Sequence, residues 1–192
     1  IGKKFLHPGP GYGGSCFPKD TLALVKTAQD NCSPLNLVEH VVKSNKNRKK
    51  NMYKRILNAL GDYEKKKISI LGLTFKPNTD DMRDSPSLDL IPELIKNNCF
   101  LKLFDPEGMK EAKTIFKKFH KKIEWCNDSY DACNKADALV ILTEWNQFRA
   151  LDLKKLKKLL NQPIIIDLRN IYNPKEIKNM GFKYYSLGRN FD

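Results

Sequence analysis

The 192-residue sequence predicts an α/β protein: a helical segment over residues 1–62, then a doubly wound, mainly parallel sheet over residues 63–192. Three observations carry this. The stretch from Pro18 to Gly61 keeps apolar side chains at three- and four-residue spacing and holds no strand-like run. From Lys67 onward, short apolar runs alternate with helical stretches, the pattern of right-handed crossovers in a parallel sheet. Several of those stretches carry their own start or stop signals, such as Ser85-Pro86 and Gly61.

The first helix runs from Pro18 to about Asn31, with Leu22, Val25 and Ala28 as its stripe and Leu24 beside them. Asn31, Cys32 and Ser33 break it, and Pro34 opens a second helix that ends at Gly61, a left-handed cap position. That helix is about 40 Å long at 1.5 Å per residue. Its apolar stripe fails in the middle, where Asn45, Arg48 and Lys49 stand. Such a turn bridges solvent between two packed ends, or faces a ligand, another domain or a second subunit. A charged linker covers Tyr63 to Lys67.

Strands are expected at Ile68–Phe75, Phe100–Phe104, Ile123–Cys126, Ala138–Leu142, Ile164–Ile166 and Phe182–Ser186. Helices are expected between them at Leu88–Ile95, Met109–Phe119, Tyr130–Lys135, Leu151–Leu160 and Pro174–Met180. This order is Rossmann-like.

The 35 Lys and Arg against 22 Asp and Glu leave a net charge of +13. Lysine supplies most of it, in short clusters flanking apolar segments, and asparagine is abundant as well. We read a compositional bias and solvated faces, so no nucleic-acid partner is expected. No apolar run is long enough to span a bilayer, so no membrane is expected either. Five cysteines without a CxxC pair point to reduced thiols in the cytoplasm and against a structural zinc site, so no metal is expected.

The densest signal is Pro8 to Asp20, PGPGYGGSCFPKD. Four glycines in six residues let the backbone approach a ligand closely. Pro18 suits a first helical turn. The loop therefore delivers Cys16 to a helix N-terminus, where the dipole favours a thiolate. On these residues alone, Cys16 is either a nucleophile or a small structural side chain.

Ligands of open α/β sheets sit beyond the carboxyl ends of the strands. There stand Phe75, Lys76 and Arg83 after the first strand, Asp105 after the second, Thr143 and Glu144 after the fourth, and Arg169 after the fifth. An aromatic face with Lys76, Arg83 and Arg169 suits a nucleoside diphosphate. The first turn reads GLTFKPN and lacks GxGxxG, so NAD is not expected there in the usual way. Asp105 has the position of a ribose-binding acid without the accompanying glycines.

FLHPGPGYGGSCFPKDTLAL resembles the catalytic loop of the UDP-glucose/GDP-mannose dehydrogenase family, and ILGLTFKPNTDDMRDSPS resembles the opening of its UDP-binding domain. LFDP, LTEW and DLRN follow in the family's order, so the resemblance covers essentially the whole chain. It implies an NAD-dependent, twofold oxidation of a nucleotide sugar at C6. The GGSCFPKD form implies UDP-glucose as substrate and UDP-glucuronate as product; GDP-mannose and a non-catalytic nucleotide-sugar-binding module are the alternatives. By resemblance Cys16 is the nucleophile and Asp20 assists proton transfer. Phe5, Tyr12, Gly13, Phe75, Lys76 and Arg169 bind substrate. Cys16, Lys19 and Arg83 border NAD. The long helix is the family's dimerisation helix, which implies a homodimer. The family's NAD-binding domain has no counterpart in these residues, so the chain alone is expected to be inactive.

Overall fold

A computed structural model describes residues 2–189. After a 3-10 turn at Lys3–Leu6, the chain forms α1 (Phe17–Asp30) and α2 (Asn36–Leu60). Pro18 takes an early position of α1, where its missing N–H costs nothing. Gly61 ends α2 at φ +72 and donates its N–H to Leu57 O at 3.0 Å. The two halves of α2 differ. Leu37 and Val41 at its start are exposed, whereas Met52, Ile56 and Leu57 near its end enter the core.

The strands are β1 (Lys67–Leu71), β2 (Phe100–Phe104), β3 (Ile123–Trp125), β4 (Ala138–Ile141), β5 (Ile164–Asp167) and β6 (Lys183–Ser186). Among the described residues they make one sheet in the order β3-β2-β1-β4-β5-β6, and every pairing is parallel. The expected "mainly parallel" sheet is thus wholly parallel. Ile70 is central, with Leu103 and Val140 as its neighbours in register.

Alternate residues of each strand serve opposite faces. Ile68, Ile70, Leu101, Leu103, Val140 and Ile166 meet α2, α3 (Pro86–Lys96) and α4 (Met109–Ile115). Leu71, Leu139, Ile141 and Ile165 meet α5 (Ser129–Cys133), α6 (Asn146–Arg149), α7 (Leu153–Leu159) and α8 (Pro174–Asn179). Burying each such side chain contributes about 1.5–3 kcal/mol, which makes this two-faced core the main source of stability. Side-chain caps fix the helix starts: Ser85, Asp128, Asp152 and Asn173 each accept a backbone N–H of the first turn.

The expected strand Ile68–Phe75 ends early. β1 stops at Leu71 because Gly72 turns to φ +91, and the following N–H groups bond to Asp105 instead of a neighbouring strand. The expected helix Met109–Phe119 is α-helical only to Ile115, then tightens to a 3-10 turn at Lys117–Phe119. The one-turn α6 had no periodicity to announce it.

Cys99, Cys126 and Cys133 are buried, while Cys16 and Cys32 are exposed. Burial pushes the buried thiols up, to about 11 for Cys99 and about 12 for Cys126 and Cys133. Iodoacetamide at pH 8 is therefore expected to label Cys16 and Cys32 in the native protein and all five thiols after unfolding, read by mass spectrometry. The raised values also set a sign. Unfolded thiols ionise near ~8.5, so the stability these groups contribute is complete below that pH and is lost as pH rises towards 11–12. The melting temperature should fall over this window; a rise would refute the assignment.

Candidate active site

The sheet order places a topological switch between β1 and β4, and the loops after β1, β4 and β5 gather at that end. Two buried aspartates shape them. Asp105 Oδ2 accepts the Leu73 N–H at 2.6 Å, the Thr74 N–H and hydroxyl at 3.2 Å each, and the Trp145 indole N–H at 3.3 Å. Its Oδ1 accepts the Glu107 and Gly108 N–H groups at 3.0 and 2.8 Å. Both oxygens are thus committed to the chain. This corrects the reading of Asp105 as a ribose ligand: it ties together the loops after β1, β2 and β4.

The turn after β1 is equally closed to a dinucleotide. A Cβ on Gly72 would stand 2.5 Å from the Thr143 Cβ, and the Thr143 hydroxyl donates to Thr74 O at 2.6 Å. Thr143 thus packs directly against the backbone of this turn. The residues of this domain do not fit NAD at that position.

Asp167 does for the β5 end what Asp105 does for β1. It accepts the N–H groups of Arg169, Ile171 and Tyr172 and the Tyr184 hydroxyl, all within 3.2 Å. The resulting turn sends Arg169 back across the switch point. Its Nε donates to Leu142 O at 2.9 Å and its Nη2 to Phe75 O at 3.1 Å. Glu144 Oε2 lies 3.0 Å from that Nε, buried and without a hydrogen-bond donor of its own. Burial lowers the guanidinium pKa, and the carboxylates of Glu144 and Asp167 oppose the shift.

The cysteine loop packs onto this platform through its glycines. A Cβ on Gly14, at φ +91, would lie 2.6 Å from the Phe75 ring, and one on Gly13 would lie 2.3 Å from Asp84 O. The Gly14 N–H donates to Arg83 O at 2.8 Å. No larger residue fits either contact. From below, Asn45 Oδ1 accepts the Tyr12 N–H at 2.9 Å and its Nδ2 donates to Tyr12 O at 3.0 Å. Arg48 donates twice to Gly9 O, at 3.0 and 2.8 Å. The polar middle of α2 therefore faces the chain's own cysteine loop.

Cys16 is the exposed N-cap residue of α1, with its sulfur 3.7 Å from Ser15 Oγ. A cavity of about 820 Å³ opens at this point. Its walls include Phe5, Tyr12, Gly13 and Cys16 from the N-terminal segment and Phe75, Lys76 and Arg169 from the sheet. Seven of the expected site residues thus meet around one space. Lys19, Asp20 and Arg83 lie outside its walls. Asp20 is one turn along α1, its N–H on Cys16 O at 2.8 Å and its carboxylate 3.5 Å from Lys19 Nζ. Exposed Arg83 pairs with Asp81 at 2.9 Å, which holds the Asp81 carboxyl below its usual range.

Sequence reasoning missed His7 and Phe17 in this wall. Phe17 packs edge-on against Tyr12 at 4.6 Å and Phe5 at 5.9 Å, a contact with no local signal. Elsewhere Glu124, Cys126 and Asp131 come together closely enough to share a cation. Lys102 Nζ already stands 2.6 Å from Glu124, and the Asn127 N–H occupies Asp131 Oδ2 at 2.9 Å.

Residues 69–174 match the UDP-binding domain of the UDP-glucose/GDP-mannose dehydrogenase family, and residues 1–47 match its central domain. The chain is 53% identical over 190 residues to a UDP-glucose 6-dehydrogenase of Rhizobium meliloti (strain 1021), covering 98% of this chain and 43% of the relative. It is 41% identical over 189 residues to a UDP-glucose 6-dehydrogenase of Bacillus subtilis (strain 168), covering 98% of this chain and 40% of that one. The structure of a UDP-glucose dehydrogenase from Pyrobaculum islandicum superimposes with a TM-score of 0.80 at 26% identity, over 97% of this chain and 40% of that chain. The chain therefore spans less than half the length of the relatives it matches. A cysteine loop seated on a Rossmann-like sheet, two family domains in order and this similarity over nearly every residue lead to one conclusion: the chain belongs to the UDP-glucose/GDP-mannose dehydrogenase family.

Proposed function

We propose that this chain carries the thiol and the nucleotide-sugar site of an NAD-dependent UDP-glucose 6-dehydrogenase, which converts UDP-glucose to UDP-glucuronate. One observation carries the reading: a single cavity is lined both by exposed Cys16 and by Phe75, Lys76 and Arg169. The Phe75 ring offers a stacking face for uracil. Lys76 and Arg169 offer cations for the diphosphate. Names of relatives up to 53% identical support the choice of sugar nucleotide over GDP-mannose.

In this reading the Cys16 thiolate adds to the C6 aldehyde left by the first oxidation. The tetrahedral carbon then bears oxygen, sulfur and hydrogen, and loss of that hydrogen as hydride leaves a thioester on Cys16. Water cleaves the thioester, giving the carboxylate and the free thiol. We assign Asp20, one helical turn away, to the proton transfers of these steps. NAD⁺ supplies the hydride acceptor. The turn after β1 does not fit it, so we place its cradle in the part of the relatives' length that this chain does not span, with Lys19 and Arg83 at its border. Exposed Leu22, Leu24, Leu37 and Val41 on α1 and α2 support a homodimer through these helices.

Calorimetric titration of the chain with UDP-glucose tests the site. Binding is expected, K76A and R169A should each weaken it about tenfold or more, and GDP-mannose should bind more weakly. Sedimentation of the same sample should give a dimer. Absence of UDP-glucose binding, or a preference for GDP-mannose, would overturn the assignment.

A further inference from the structure

We propose that Lys49 is a positioning residue. It locks the cysteine loop against the loop after β1 and so sets where the Cys16 sulfur stands in the cavity. This rests on the reading of Cys16 as nucleophile.

Lys49 is only 6% exposed. Burying an ammonium is costly unless its protons are bonded, and an apolar side chain of similar length would fill the space without that cost. The charge therefore needs a reason, and its partners supply one. Nζ lies 3.2 Å from Asp84 O, 3.4 Å from Asp84 Oδ1 and 3.7 Å from Asp89 Oδ2. Asp84 is held at φ +51, a left-handed conformation that needs support from its surroundings.

The same Asp84 carbonyl is the surface on which Gly13 rests, and the preceding carbonyl, of Arg83, accepts the Gly14 N–H. On the other side the Lys49 stem runs beneath the loop: a Cβ on Gly11 would come within 2.6 Å of its Cγ. One side chain thus touches both sides of the joint, close in sequence to Cys16. Asn45, which neighbours Arg48 at i+3 and Lys49 at i+4 on α2, holds Tyr12, and Arg48 holds Gly9. Together the three fix the loop from Gly9 to Gly14 before it reaches the sulfur. Addition to C6 needs that placement, because an error of about 1 Å costs about 100-fold in rate.

The test uses the full-length enzyme. K49M keeps the apolar stem and removes the charge. Its kcat for UDP-glucose is expected to fall about 30- to 100-fold, while KM and the affinity for UDP stay within about threefold. K49R should recover much of the rate, because it restores a donor to Asp84. N45A loosens the same loop from its other end and should also lower kcat more than it raises KM, so it carries the test if K49M does not fold. Wild-type kcat in folded K49M and N45A overturns the proposal. Failure of the underlying reading looks different: the wild type would not oxidise UDP-glucose, or C16S would remain as active as the wild type.

Discussion

C16S is expected to abolish UDP-glucuronate formation by the full-length protein, by about 10⁴-fold or more, with UDP-glucose affinity held within about twofold. The argument is chemical. A serine hydroxyl is not ionised near neutral pH and cannot form the sulfur adduct from which hydride leaves. The first oxidation, alcohol to aldehyde, does not need the thiol, so the block falls on the second. Binding is expected to survive because Phe75, Lys76 and Arg169, proposed above to hold the nucleotide, line the sheet side of the cavity. Product analysis with an NADH count checks it. Continued formation of the acid by C16S would return Cys16 to the structural reading.

D105A is expected to cost more stability than any other single change near the site, about 3 kcal/mol or more. Removing the carboxylate takes the acceptor from six donor contacts, from Leu73, Thr74, Glu107, Gly108 and Trp145, and the N–H groups of Leu73, Thr74 and Gly108 among them are buried. Each unsatisfied buried donor costs about 1–3 kcal/mol. At about 2–4 °C per kcal/mol for a chain of this size, the melting temperature should drop by about 10 °C. D105N keeps the volume but turns an NH₂ group towards backbone N–H groups, so it too should destabilise. Stability unchanged in both variants would refute the role given to Asp105.

The strands were legible because most of their residues are apolar on both faces. Ile68, Ile70, Leu139, Val140 and Ile165 all end in a core, so no register ambiguity could disguise them. The cysteine loop was legible because its glycines answer local demands that only glycine meets, as Gly13 and Gly14 show against Asp84 and Phe75. What stayed hidden depends on distant partners. LTFK after β1 has strand-like residues, and besides the turn at Gly72 it is Asp105, some thirty positions away, that holds it out of the sheet. Asn45 and Arg48 break an apolar stripe for a loop that precedes them by more than thirty residues, and Lys49 for Asp84, thirty-five residues further on. Long-range polar contacts leave a sequence trace as misplaced hydrophilic residues, without saying what they touch.

The strand order has a consequence for how the chain is made. β1 is the first strand of this sheet to be made and lies in its middle, with β2 and β3 added on one side and β4, β5 and β6 on the other. Each strand therefore leaves the ribosome to find its neighbour already present. Half the sheet can assemble by Trp125, and the open edge of β1 waits from Leu71 until β4 is complete at Ile141, about 3–14 seconds at ~5–20 residues per second. Growth outward from a central first strand limits the time that an unpaired apolar edge is offered to other nascent chains.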